Sequence, residues 1–195
     1  MDKRKIRDYG KLCVSILFVA LYIPHLLMLI LGKKKKLIFT DVNRIGKSIK
    51  INCGKWFKLI FLLHTNAYYR SLFYHRLGPV KSLFISWYRP GDRYFILPYS
   101  TLIGEGFMFY HPFSTILNAE KIGNNFSCGH STTIGATGRG RPSIGDNVAL
   151  GVGVIIIGKI KIGNNVTVGA GTVITKNIPD NTVVVGNPVR IIKTL

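Results

Sequence analysis

Two histidines in the second half of the chain, His111 and His130, stand 19 residues apart. An imidazole, with an unperturbed pKa of about 6.5, can take up or release a proton at neutral pH. Just beyond them, Arg139 and Arg141 sit in the stretch Ala136-Thr137-Gly138-Arg139-Gly140-Arg141-Pro142, where guanidinium forks could reach a carboxylate or a phosphate. Cys13, Cys53 and Cys128 show no CxxC spacing, and no ligand cluster is visible, so no metal is expected. The cysteine pattern fits a reducing compartment without disulfides. The chemistry on offer is proton transfer beside an anion-recognising loop.

The elements that must position these groups are announced by a six-residue beat. Ile144, Leu150, Ile156, Ile162, Val168 and Ile174 are aliphatic and evenly spaced, and glycine follows at Gly145, Gly151, Gly163 and Gly169. A period of six is neither the 3.6 of a helix nor the 2 of a plain strand. It predicts a parallel β-helix in which each hexad is a short strand plus a corner and three hexads close a coil. A second apolar series follows at Val148, Val154, Ile160, Val166 and Ile178, interrupted only by Thr172. Ile122-Gly123-Asn124-Asn125, Ile144-Gly145-Asp146-Asn147 and Ile162-Gly163-Asn164-Asn165 repeat one corner, since Asn and Asp tolerate left-handed backbone. The last two copies are 18 residues apart, one full coil, whereas the first two are 22 apart. Upstream the beat is read as Ile116, Ile122, Cys128, Ile134, so the excess falls in residues 136–142, a loop thrown out from a corner. A repeat scaffold interrupted once by a polar loop is a common place to build a site. On this reading His111 and His130 stand about one coil apart on one face.

The formal net charge of +19 is unevenly placed: residues 1–100 hold 19 Lys/Arg against 4 Asp/Glu, and residues 101–195 hold 8 against 4. Leu12 to Leu31 is almost wholly apolar, just long enough to span a bilayer, but Pro24-His25 interrupts it. Lys3, Arg4, Lys5 and Arg7 precede it and Lys33 to Lys36 follow, so the flanks give no orientation. No small-x-small cleavage site precedes the lysines, which argues against a signal peptide. A second apolar stretch runs from Trp56 to Leu63, and Tyr68, Tyr69, Phe73 and Tyr74 alternate with Arg70 and Arg76. Apolar surface, aromatic anchors and excess Lys/Arg predict a helical region, residues 1–95, lying on an anionic membrane face. Residues 96–195 are the β-helix. A soluble helical domain with a solvated basic rim is the alternative. Nucleic acid is not expected as a partner, because the basic residues are interleaved with long aliphatic runs and no groove-reading motif is present.

The hexapeptide beat resembles that of the left-handed β-helix acyltransferases. Gly106-Phe-Met-Phe-Tyr-His111, Thr133-Ile-Gly-Ala-Thr-Gly138 and Gly186-Asn-Pro-Val-Arg190 resemble the serine acetyltransferase group. They look closer still to its relatives encoded for capsule and other surface polysaccharides. The resemblance implies acetyl transfer from acetyl-CoA to a hydroxyl, at sites between the subunits of a homotrimer. It makes His111 the general base, with His130 sharing that role, orienting the acceptor or simply facing solvent. For such chemistry Gly135-Ala136 is a candidate oxyanion turn, and Tyr110, Asn118, Arg139 and Arg141 are the residues expected to meet the acceptor. CoA would lie along Gly151-Val152-Gly153 and Gly169-Ala170-Gly171, with Lys176, Arg190 and Lys193 on its phosphates.

Three departures separate the chain from the serine enzymes. The acidic residue expected before the base is Tyr110, the carboxylate about fifteen residues earlier falls at Ile96, and a histidine of the loop is replaced near Arg141. Losing both carboxylates removes the counter-charge for a serine ammonium group, so a sugar or surface-polysaccharide precursor is the expected acceptor. Serine O-acetylation and a non-catalytic glycan- or protein-binding scaffold are the alternatives. The expected location is cytoplasmic, peripheral to the inner face of the cell membrane.

Overall fold

The computed structural model describes Gly10, Val14, residues 18–49 and residues 53–195. Lys3, Arg4, Lys5, Arg7, Leu12, Cys13 and residues 15–17 of the apolar segment lie outside the described residues. The chain divides into two compact units, Met1–Asp92 and Arg93–Leu195.

The first unit is helical. A 3-10 turn, Val19–Tyr22, leads into α1 (Ile23–Ile30), which opens with Pro24 where a missing N–H costs nothing. It is followed by α2 (Lys35–Ser48), α3 (Lys55–Thr65), α4 (Ala67–Leu77) and α5 (Pro79–Ser86). The Asn66 side chain caps α4, accepting from the Tyr69 N–H at 2.9 Å. Gly78, at φ 89°, turns the chain into α5, whose first residue is a proline. Leu59, Leu62, Leu63, Leu72 and Phe73 are buried together with Ile38 and Val42. Arg76 is buried too, and its Nε donates to Asp41 Oδ2 at 2.9 Å. Among the described residues no helix is long and apolar enough to cross a membrane.

The second unit is a parallel β-solenoid with three faces. The first face carries β1 (Phe95–Ile96), β4 (Thr115–Leu117), β7 (Thr133–Gly135), β10 (Ile155–Ile157) and β13 (Val173–Ile174). The second carries β2 (Leu102–Ile103), β5 (Lys121–Ile122), β8 (Ser143–Ile144) and β11 (Lys161–Ile162). The third carries β3 (Met108–Phe109), β6 (Ser127–Cys128), β9 (Ala149–Leu150), β12 (Thr167–Val168) and β14 (Thr182–Val185), closed by the antiparallel β15 (Arg190–Thr194). The first-position residues stack in register, Ile122 on Ile144 on Ile162 and Cys128 on Leu150 on Val168, and fill the interior. Burial pushes the Cys128 thiol up to about 12, so it is a packing residue and not a nucleophile. Val148, Val154 and Val166 complete the core. Thr172 is tolerated among them because its hydroxyl donates to the Gly169 carbonyl at 2.7 Å and accepts from the Gly186 N–H at 3.1 Å.

The corner between the second and third faces explains the Asn/Asp repeats. Asn125, Asn147, Asn165 and Asn181 all have φ between 55° and 58°, and each side-chain amide donates to the next side-chain carbonyl at 2.7–3.1 Å. Beside them, Asp146 and Asn164 accept backbone N–H groups from the coil before. At Gly145 the coils approach so closely that a Cβ would lie 2.6 Å from the Gly163 carbonyl oxygen.

Two sequence expectations need correction here. Ile116 is not a core position: it is 39% exposed, and Leu117 is buried in its place. Two additional residues around His111 widen the preceding corner and shift the phase, since Phe109 to Leu117 is eight steps where Cys128 to Ile134 is six. Ile160 is only half-buried, after a turn at Gly158. The four-residue excess does fall in residues 136–142, closed by paired hydrogen bonds of 3.0 Å between Thr137 and Gly140.

Candidate active site

His111 occupies the corner between the third and first faces. It is exposed, with φ 49°, and its carbonyl accepts from the Phe113 N–H at 2.7 Å. A positive φ outside glycine is uncommon and most tolerable for Asn, Asp and His. Pro112 behind it is buried, while Tyr110 and Phe113 on either side are more than half exposed. Phe113 packs against Tyr94, ring centroids 5.2 Å apart. The imidazole therefore stands in an exposed aromatic rim.

His130 lies on the next coil, two residues beyond the pairing of Phe109 with Cys128, and it is exposed as well. Adjacent strands are separated by about 4.8 Å, so the two imidazoles belong to neighbouring rungs. The same corner continues upward through Gly151-Val152-Gly153 and Gly169-Ala170-Gly171, held by Gly153 N–H to His130 carbonyl at 3.0 Å and Gly171 N–H to Val152 carbonyl at 2.8 Å. A Cβ on Gly151 would lie 2.7 Å from the Ala170 nitrogen. Coil stacking alone thus demands glycine there. Val152 is 39% exposed, and Ala170 is exposed. At the top, Arg190 pairs with Val185, which packs on Gly169, so the column ends in a guanidinium.

The other sequence-predicted residues sit at the opposite end of the first face. Strand β7 runs from Thr133, beside the histidine corner, to Gly135 and Ala136 at the loop. Three strand residues span about 10 Å. Arg141 donates from Nη1 to Ser100 Oγ at 2.8 Å, and Arg139 is exposed at the loop tip. Asn118 is half-buried, with its N–H on the Ile134 carbonyl at 2.9 Å. Lys176 lies two coils further along this edge and Lys193 in β15. One chain therefore groups His111, His130, the two glycine segments and Arg190, and it keeps Gly135, Ala136, Asn118, Arg139, Arg141 and Lys176 apart from them.

Two groups escape the sequence reading. Tyr94 and Phe113 flank the histidine, and their signal was an aromatic beside His111-Pro112 that fits no hexad position. Lys159, whose side chain passes 3.2 Å from the ideal Cβ position of Gly140, adds a cation to the arginine loop.

The bacterial transferase hexapeptide (six repeats) family matches residues 141–176, and the solenoid has the form of a left-handed β-helix of hexapeptide repeats. Its relatives are acetyltransferases. "Serine acetyltransferase 1, chloroplastic" of Arabidopsis thaliana is 43% identical over 95 residues, 46% of this chain and 30% of that protein. "Putative colanic acid biosynthesis acetyltransferase WcaB" of Escherichia coli (strain K12) is 43% identical over 93 residues, 46% of this chain and 57% of that protein. The solved serine acetyltransferase of Neisseria gonorrhoeae in complex with serine superposes with a TM-score of 0.67 at 25% identity, covering 86% of this chain and 73% of that one. The chain spans between 30% and 57% of the length of these curated relatives.

Proposed function

We propose that this chain is an acetyl-CoA-dependent O-acetyltransferase acting on a hydroxyl of a sugar or surface-polysaccharide precursor. The observation that carries the reading is the exposed imidazole of His111 at the head of a column of small residues, beside the exposed Tyr110 and Phe113, with Tyr110 and Ile96 standing where the serine enzymes are expected to carry carboxylates. An alcohol is a poor nucleophile at neutral pH, and a thioester carbonyl accepts it only as its proton departs. His111 takes that proton as the oxygen–carbon bond forms, and returns it to the thiolate as the carbon–sulfur bond breaks. His130, one rung away, orients the acceptor. A pyranose ring stacks on the aromatic rim, whereas an amino-acid ammonium group finds no anion in it. The pantetheine arm of acetyl-CoA lies along Gly151–Gly153 and Gly169–Gly171, and Arg190 meets its phosphates as a fork.

The Gly135-Ala136 turn, Arg139 and Arg141 join this site from a second copy in a homotrimer, where the first-face loop of one protomer meets the histidine corner of the next. Backbone N–H groups of that turn then serve the oxyanion of the tetrahedral intermediate. The likeness to WcaB favours a polysaccharide precursor, and the likeness to serine acetyltransferases keeps serine as the competing acceptor. CoA release measured with L-serine against nucleotide-sugar and oligosaccharide acceptors decides between them. Turnover with the carbohydrate and none with serine is expected; robust turnover with serine alone overturns the choice of acceptor.

A further inference from the structure

The helical unit carries a surface that acetyl transfer leaves unused. In α5, Val80, Leu83, Phe84 and the following Trp87 recur at helical spacing, and all four are between 64% and 77% exposed. In α1, Ile23, Leu27, Ile30 and the following Leu31 do the same, each at least half exposed. The opposite faces of these helices, His25 and Leu29 in one and Ser82 and Ile85 in the other, are buried. The two helices are antiparallel neighbours. The Tyr88 hydroxyl donates to the Leu21 carbonyl at 2.9 Å at one end, and Lys81 Nζ donates to the Leu31 carbonyl at 3.4 Å at the other. Their outer stripes therefore form one continuous apolar patch, larger than scattered surface residues would leave.

Where α1 ends, a cavity of about 290 Å³ opens against this patch. Lys33, Lys34, Lys35 and Lys81 line it, and no acidic side chain does. Arg76 also reaches it, already engaged by Asp41. The only acids among the described residues of this unit are Asp41, buried in that pair, and Asp92. A second copy placed symmetrically on the patch would set lysines against lysines. A surface of opposite charge with an apolar interior satisfies both halves of the feature at once, and that is an anionic bilayer. Trp87, with its indole N–H on the Phe84 carbonyl at 3.2 Å, is the residue type that anchors at the headgroup level.

We propose that α1 and α5 form a docking face for an anionic membrane, with the apolar stripes in the acyl boundary and the lysine cavity holding a lipid phosphate. None of these residues belongs to the acetyl-transfer site, so the surface stands or falls separately from that reading. The test is co-sedimentation of the full chain with phosphatidylcholine vesicles and with vesicles that also contain phosphatidylglycerol. Wild type pellets with the anionic vesicles only. A Leu83→Glu/Trp87→Glu variant, altered at exposed positions, loses at least tenfold in affinity. Replacing Lys33, Lys34, Lys35 and Lys81 by Gln loses about a thousandfold, at about 1 kcal/mol per lysine. CD spectra and soluble-acceptor turnover stay unchanged in both variants. Equal binding to both vesicle types, or unchanged binding by either variant, overturns the proposal. So does release from anionic vesicles by inorganic phosphate at constant ionic strength, which would make free phosphate the ligand. Absence of vesicle binding, with a lower oligomeric state of Leu83→Glu/Trp87→Glu by light scattering, would instead make the face a contact between copies.

Discussion

His111 is held at φ 49°, a conformation that costs a non-glycine residue about 1 kcal/mol or more. The corner keeps it there because Pro112 is buried behind it and the Phe113 N–H closes onto its carbonyl. Asparagine accepts left-handed backbone at least as readily as histidine but cannot shuttle a proton at neutral pH. His111→Asn is therefore the substitution that separates fold from chemistry. Its thermal melt should match wild type within about 0.5 kcal/mol, while kcat for acetyl transfer should fall by about 10²–10⁴-fold, the range a positioned general base supplies. His130→Asn should act mainly through KM for the acceptor. Undiminished kcat in His111→Asn would remove that imidazole from the reaction.

At the scale of elements, the helical unit buries a histidine whose protonation burial disfavours. His25 in α1 is buried, with Nε2 3.0 Å from the Tyr74 hydroxyl and Nδ1 3.2 Å from the Tyr88 hydroxyl. Burial, and then the positive charges of Arg70 and Arg89, hold its pKa down at about 4 instead of 6.5. Above pH 6.5 the ring is neutral folded or unfolded, and the contribution is complete. As the pH falls from 6.5 to 4 the unfolded chain takes a proton that the folded one refuses, so stability drops, by about 1–3 kcal/mol in all. Urea midpoints at pH 7 and pH 4.5 should show that loss in wild type and a markedly smaller one in His25→Gln. An equal loss in both would assign it elsewhere. The sequence could not foresee this network, because Tyr22, His25, Tyr74 and Tyr88 are brought together only by packing. Elements built on a local period were legible: the hexad beat gave the coil count, and the 22-residue spacing located the arginine loop. Where two additional residues at the His111 corner shifted the phase, reading by spacing chose Ile116 over Leu117. The antiparallel β15 has no hexad pattern and escaped notice, and α5 escaped because its apolar stripe faces outward, the reverse of what burial rules reward.

At the scale of the whole molecule, the decisive fact is that one chain separates its candidate groups by the width of a face. His111 and His130 stand at one end of the first face, Gly135, Ala136, Arg139 and Arg141 at the other. Hexad spacing alone could not disclose this, since the repeat reads alike at every corner and only the closing of three faces tells the corners apart. In the proposed trimer each site takes its imidazole from one protomer and its loop from the next, a heterologous contact that closes after three copies. That arrangement predicts complementation in trans. A chain with His111→Asn and a chain with Arg139→Ala/Arg141→Ala should each be nearly inactive alone. Co-refolded in equal amounts, they assemble at random, and a site is intact when its imidazole donor carries only the arginine changes and its loop donor only the histidine change. Each condition holds half the time, so about a quarter of wild-type turnover should return. Recovery near that fraction, appearing only after the two chains are unfolded and reassembled together, would place the reaction at the seam between copies. If both groups served the same protomer's site, every mixed assembly would stay as inactive as its parents, and the shared-site trimer would have to be abandoned even with His111 retained as the base.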